Sequence, residues 1–381
     1  MPNILDYIDW RGDLRFAEAP FCEVDNLIFS WLAYVDFGGV LSGDGPAQSI
    51  PLAEAGRRYA ATHDPAEMED SGCITRTSIL LLHRMAQSRR YADVQLWGYV
   101  CRRDRDQVEQ FAAVCCSCDG GCYVAFRGTD NTLLGWREDF NMGFMPVVPS
   151  QKEARRYLER VATACSVGLW VGGHSKGGNL AVYASVNADP AVQQRIRAVY
   201  NNDGPGFLQA MFESEAYRRL QSRIHTIIPQ SSVVGVLLEH SRQYTIVASD
   251  AVGMMQHDAM SWQVLGGAFV YVQQRTRSSE FLDQTLSGWL AALTPEQRGR
   301  FVDTLFTVLD STGAATFDEM SKMGFSTLAP MLRSLGGIDR QTRKMLGEMM
   351  ASLFRVWSAL LSQQLALARP AATAFPVKKE K

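Results

Sequence analysis

What is scarce in these 381 residues narrows the field first. The formal net charge is only −2, and the one basic block is the short tail Lys378-Lys379-Glu380-Lys381. Electrostatic capture of nucleic acid is therefore not expected. No uninterrupted apolar run approaches the roughly 18 residues of a membrane span. The opening Met1-Pro2-Asn3-Ile4-Leu5-Asp6-Tyr7 lacks a positive segment followed by an apolar stretch, so no export signal is read. A cytoplasmic location is the expectation. Internal repeats are absent, and low complexity is confined to the Pro/Ala tail at 370–376. At 46% hydrophobic content the chain can bury one large core or two smaller ones.

The eight cysteines form no clean pair of C-x-x-C knuckles, although Cys115, Cys116, Cys118 and Cys122 cluster. They flank Asp119-Gly120-Gly121, a hairpin-turn signal between two strand-like runs. On such strands Cys116 and Cys118 share one face and Cys115 takes the other. Buried small hydrophobes are favoured over a metal site, because free cysteine packs well in cores. Without an export signal, reduced thiols are expected.

What is present centres on residues 167–186. An apolar run, 167–171, enters a glycine cluster carrying Ser175, and a helix-compatible segment leaves it. Gly173-His174-Ser175-Lys176-Gly177 fits G-x-S-x-G, the elbow that displays a serine on a sharp strand-to-helix turn. The rival reading is a structural βα turn with an incidental serine.

Around it, helix-like and strand-like runs alternate. Helices are expected at 21–36 and 78–85, and strands at 94–101, 110–116 and 122–126. The stretch 37–72 is weakly patterned, and a charged turn is read at 102–106. An apolar loop at 140–149 reads as a lid, as a pocket wall or as a plain packed loop. Ser150 with Glu153 marks a capping box for a helix to about residue 164. Strands follow at 197–201, 224–229 and 244–248, with a helix at about 208–221 and another at 233–239. Such alternation implies a largely parallel sheet with helices on its faces, begun by an antiparallel hairpin.

Near residue 275 the character changes to almost wholly helical. Thr294-Pro295-Glu296-Gln297 is one capping box and Thr316 with Glu319 another. A last helix at about 339–368 lines up Leu346, Met349, Met350, Leu353, Trp357, Leu360 and Leu361 on one face. That stripe is read as a docking face onto the domain, with peripheral membrane contact the secondary reading. The expected divisions are 1–275, 276–369 and a tail at 370–381.

Ser175 needs a base to take its proton. Of the six histidines His63, His83, His174, His225, His240 and His257, the first two precede the serine. His174 lies in the elbow itself, and its side chain should point away from the direction of attack. His225 sits within a strand. His257, in a loop beyond the last strand, is favoured over His240. The strand ending at Pro229 delivers Gln230, Ser231 and Ser232, none of them acids. Asp203, within Asp203-Gly204-Pro205-Gly206, is the first choice of orienting acid, ahead of Glu239 and Asp250. An Asx-turn role for Asp203 stands beside that reading, and Ser232 is a possible neutral orienter. For an oxyanion, the Lys176 backbone N–H is one donor, and the Gly128-Thr129 loop supplies the second, with Thr129 offering both its N–H and its hydroxyl. Arg127 and Asp130 are read as bracing the Thr129 loop.

With Phe126-Arg127-Gly128-Thr129, Trp136, Gly173-His174-Ser175-Lys176-Gly177-Gly178 and His257, the chain resembles the class 3 (fungal-type) lipases. More closely it resembles a bacterial branch of lipase-like proteins. Gly135-Trp136-Arg137-Glu138-Asp139-Phe140, Asn202-Asp203-Gly204-Pro205-Gly206 and Gln256-His257-Asp258 carry that likeness, which covers about residues 25–270. It implies an α/β-hydrolase fold with a mostly parallel central sheet, here with a helical C-terminal extension. It implies a Ser–Asp–His triad acting on lipids or other acyl esters, with Ser175 as nucleophile, His257 as base and Thr129 as oxyanion residue. Two departures stand out. Lys176 replaces the usual leucine, to favour anionic substrates or simply to be solvated, and Ser231-Ser232 hold the usual place of the acid.

The expectation is a serine esterase or lipase acting through an acyl-enzyme on a small-molecule or lipid ester. An acyltransferase at the same site and a silent binding protein are the alternatives. Neither a metal nor a cofactor enters this chemistry, and oligomeric state stays open.

Overall fold

In the strand Gly121–Phe126, Cys122, Val124 and Phe126 enter one apolar core while Tyr123 and Ala125 enter another. A strand buried on both faces belongs to a sheet that helices cover on both sides. The structure, a computed structural model, describes residues 1–43, 45–63, 73–236, 238, 243–281, 283, 293–323, 330, 331, 334, 337, 339–344, 347, 348 and 351. The chain divides into two compact units, Met1–Ile338 and Asp339–Lys381.

In chain order the strands are β1 (Ile50–Pro51), β2 (Gln95–Asp104), β3 (Glu109–Cys118), β4 (Gly121–Phe126), β5 (Gly168–His174), β6 (Ile196–Asn202), β7 (Ile224–Pro229), β8 (Thr245–Val247), β9 (Val264–Leu265), β10 (Ala268–Phe269) and β11 (Tyr271–Val272). A nine-stranded sheet runs β1-β2-β3-β4-β5-β6-β7-β8-β11, with β9 and β10 a separate pair. Pairing is parallel from β4 through β8 and antiparallel at both ends. The molecule is thus mixed α/β, its largest block of strands parallel. The helices α1 (Ile4–Arg11), α2 (Glu23–Leu32), α3 (Leu52–Thr62) and α4 (Cys73–Gln87) supply one core. After α5 (Leu133–Asn141), the helices α6 (Pro149–Ala164) and α7 (Lys176–Asn187) supply the other.

The strands expected from the sequence are found, each within three residues of its expected ends. The charged turn lies farther out than expected, because Asp104 still pairs with Glu109. Cys115 and Cys122 lie in one core and Cys116 in the other, as the strand alternation required.

Three local expectations fail. Ser150 and Glu153 do not cap α6. The helix starts at Pro149, whose missing N–H costs nothing at that position. Gln151 Oε1 accepts from the Val148 N–H at 3.1 Å, while Glu153 faces Arg102 at 3.2 Å. The helix expected over 208–221 is broken into Gln209–Glu213 and Glu215–Leu220. Ser214 restarts it by accepting from the Tyr217 N–H at 3.1 Å, the alternative that serine always offers a helix backbone. The helix expected over 233–239 is described only as the 3₁₀ turn Val234–Val236.

Beyond β11, Thr294 and Gln297 form the expected capping box of the helix Pro295–Asp310. That helix packs on α5, with Phe140 and Phe306 rings 5.8 Å apart and Arg137 reaching Asp303 at 2.9 Å. Thr316 accepts from the Glu319 N–H at 3.1 Å, but the Glu319 carboxylate reaches Ala315 N instead of Thr316. In the second unit Asp339 accepts from the Thr342 N–H at 2.9 Å and starts a helical turn. The apolar stripe Leu346, Met349, Met350, Leu353, Trp357, Leu360 and Leu361 lies outside the described residues. No described helix is long and apolar enough to cross a membrane.

A buried ion pair joins the start of α2 to the segment after α4. Arg90 grips both oxygens of Asp25, at 2.8 and 2.6 Å, and Tyr91 donates to the same carboxylate at 2.6 Å. Both charged side chains are fully buried. Removing one partner strands a charge in a dry interior, so Asp25→Ala is expected to cost about 3–5 kcal/mol in urea unfolding. A loss below about 1 kcal/mol, the level of an exposed pair, would contradict this account.

Candidate active site

β5 ends at His174 and α7 begins at Lys176, which leaves Ser175 alone in the turn at φ 58° and ψ −134°. A residue with a Cβ pays roughly 1–3 kcal/mol for such a backbone, and it persists only where the surroundings impose it. Here the Ser175 N–H donates to Asn202 O at 2.9 Å, and the Gly178 N–H donates to Ser175 O at 2.9 Å. Close approach explains the flanking glycines. A Cβ on Gly173 would stand 2.3 Å from the Gly177 carbonyl carbon, and one on Gly177 would stand 2.1 Å from Phe126 O. The motif is therefore an elbow in its geometry.

One strand along, β6 ends at Asn202 and the buried Asp203 follows at φ 51°. Its Oδ2 lies 2.7 Å from His257 Nδ1, across 54 residues of sequence. Its Oδ1 accepts from Ser232 Oγ at 2.5 Å and from the Gly235 N–H at 3.1 Å. These partners are distant in sequence, so the Asx-turn reading of Asp203 falls. Ser232 also changes role, since its hydroxyl goes to the acid and not to the histidine. A carboxylate at Nδ1 sets the tautomer with the proton on that nitrogen and leaves a lone pair on Nε2. Asp250 is engaged elsewhere, by the Met1 amino group at 2.7 Å and by Gln263. Glu239 and His240 lie outside the described residues.

His257 ends the 3₁₀ turn Gly253–His257, and its neighbours pin that turn. Gln256 accepts from the Ser231 N–H at 2.7 Å and donates to Ala251 O at 2.9 Å, while Trp262 Nε1 donates to Gln256 O at 2.8 Å. A Cβ on Gly128 would lie 3.0 Å from Ser175 Cβ, so the Gly128-Thr129 loop runs against the elbow. Arg127 and Asp130 brace that loop at 3.6 Å, with Arg103 joining Asp130 at 2.9 Å.

Two expectations about side chains are corrected. The Thr129 hydroxyl is already committed, donating to Asp139 Oδ2 at 2.5 Å, so only its backbone N–H is left to offer. Lys176 neither meets solvent nor waits for an anion. It is fully buried, and its ammonium donates to Gln110 O at 2.8 Å, Gln110 Oε1 at 2.6 Å and Glu138 Oε2 at 3.0 Å. Its backbone N–H, the first of α7, has no partner within the helix. Glu138 and Asp139 were missed as site residues. The sequence signal for them was their place in Gly135-Trp136-Arg137-Glu138-Asp139-Phe140, which carries the family likeness.

A family model described as Mbeg1-like matches residues 85–307, more than half of the chain. Comparison with curated proteins finds no match. Among solved structures, the crystal structure of M37 lipase is similar at a TM-score of 0.34 and 15% identity, over 55% of this chain and 68% of that one.

Removal from water pushes the Asp139 carboxyl up to about 6, although Lys176 and the Thr129 hydroxyl pull it down. The folded chain then holds this proton more tightly than the unfolded chain, whose carboxyl has the ordinary value of 3.8. Stability from this group is full below about pH 4 and is lost as pH rises to about 6. Asp139→Asn should flatten that interval of the Tm–pH curve, and an unaltered slope would show that the group does not titrate there.

Proposed function

The chain belongs to the Mbeg1-like family, a lipase-like family, and on that premise we propose that it hydrolyses carboxylic esters through an acyl-enzyme on Ser175. In this reading the sheet with its helical layers is an α/β-hydrolase fold. Ser175 Oγ attacks the ester carbonyl and its proton passes to His257 Nε2. Asp203 holds the ring in the correct tautomer and stabilises the imidazolium. The negative charge that develops on the carbonyl oxygen faces the backbone N–H groups of Lys176 and Thr129. The alcohol leaves with the proton from His257, and water then repeats the sequence to free the acid.

Two observations carry the reading: the Asp203–His257 pair at 2.7 Å and a serine in a strained strand-to-helix turn. Asp203 has two further donors, so the acid is fixed before any substrate arrives. Apolar esters are the favoured substrates, because Val252, Met254 and Met255 are exposed on the turn that carries His257.

A fluorophosphonate probe tests the nucleophile. The wild type should be labelled and Ser175→Ala should not, while labelling that survives in Ser175→Ala would sink the assignment. Asp203→Asn should lower kcat on a short p-nitrophenyl ester by roughly 10⁴-fold, the cost of the wrong imidazole tautomer. A loss under about tenfold would mean that another group orients His257. An unlabelled, inactive wild type would mark a silent binding protein.

A further inference from the structure

His174, the residue before the serine, is 1% exposed, and its ring nitrogens both have partners. Nε2 lies 2.8 Å from the backbone oxygen of His257, and Nδ1 lies 3.1 Å from the Tyr34 hydroxyl. A carbonyl oxygen can only accept, so Nε2 carries the hydrogen. The ring is neutral, because burial, seconded by nearby His257, drives its pKa well below the ordinary value. Nδ1 is then an acceptor, and the Tyr34 hydroxyl donates to it. Trp31 packs edge-on against the ring at 4.9 Å, and the His174 and His257 rings lie 4.6 Å apart. The same Tyr34 oxygen stands where a Cβ on Gly128 would come within 2.0 Å of it, so it also abuts the loop that carries Thr129.

His257 is thus held at two points, its ring by Asp203 and its main chain by His174. We propose that His174, oriented by Tyr34, is a positioning residue that sets the placement of the His257 main chain relative to Ser175. This rests on the ester-hydrolase reading above. The relay joins the turn that follows α2, the elbow and the base-bearing turn through atoms that never meet substrate. Ring and serine are adjacent residues, so the elbow itself carries the clamp for its own base. A displacement of that turn by a fraction of an ångström acts on proton transfer and not on substrate capture, and the expected signature is a fall in kcat at constant KM.

The test compares His174→Leu, His174→Gln and Tyr34→Phe with the wild type on a short p-nitrophenyl ester, with thermal unfolding of each. His174→Leu removes the donor and is expected to lower kcat about 10–100-fold with KM within about threefold. His174→Gln places an amide N–H near the Nε2 position and should recover most of that loss. Tyr34→Phe frees the tautomer and should give a smaller loss, about three- to tenfold, and it keeps the test alive if His174→Leu does not fold. A second readout needs no turnover: the downfield Nδ1–H proton of His257, bonded to Asp203, should exchange faster in His174→Leu than in the wild type and His174→Gln. Wild-type kcat in a folded His174→Leu, or no recovery in a folded His174→Gln, overturns the proposal. A wild type that turns over no ester overturns the hydrolase reading instead, and the exchange of the His257 proton still decides whether His174 places that turn.

Discussion

The buried contact between Lys176 and Glu138 is what the rest of the site leans on. An ammonium removed entirely from water needs its charge and all three of its hydrogens answered, and Gln110 and Glu138 answer them. Glu138 is equally committed, accepting from the Gln110 N–H at 3.0 Å and from the Ser150 N–H at 2.9 Å. One carboxylate therefore fastens β3, α5, α6 and the first residue of α7. A leucine after the serine would pack in such a place but would tie nothing. The charge lets the first turn of α7 sit at one height above the sheet, and the Lys176 N–H with it. Lys176 also eases the ionisation of the neighbouring Asp139, whose carboxyl removal from water makes hard to ionise.

The second constraint is where the acid comes from. Ser232 occupies the position in which the resemblance leads one to look for an aspartate, and its hydroxyl goes to Asp203 instead. The carboxylate that meets His257 thus lies one strand earlier, on a residue whose φ of 51° turns the chain sharply at the end of β6. Its N–H donates to Ile227 O at 2.8 Å, so β7 fixes the acid although it does not carry it. The carboxylate keeps three donors and His257 keeps its orientation.

Much of this was legible in the chain itself. Apolar runs located the strands, because burial on both faces leaves little room for polar residues there. The glycine spacing around Ser175 was legible because it records backbone contacts within a few residues. Asp203 and His257 were legible as candidates by their place after strands. Their pairing was not, since 54 residues separate them and only the closed sheet brings them together. Lys176 was misread for the same reason: a charged residue looks solvated until Gln110, 66 residues earlier, is known to cover it. Ser150 and Ser214 show the local limit. Serine caps, breaks or lies idle within a helix according to which donor is nearby, and its neighbours in sequence do not decide that.

Ser175 and its elbow form within one strand–turn–helix unit, but the clamp on His257 closes over 83 residues. The turn that holds His257 also leans on the start of the chain, where the Met1 amino group meets Asp250 and Pro2 O accepts from the Val264 N–H at 2.8 Å. Contacts of such span are the last to form, because a long loop must be closed before they contribute anything. The Ser175 elbow is therefore in place early during folding, and the turn that carries His257 arrives late. A partly folded or C-terminally shortened chain holds the elbow serine without the Asp203–His257 pair, and the complete constellation is confined to the molecule that has finished folding.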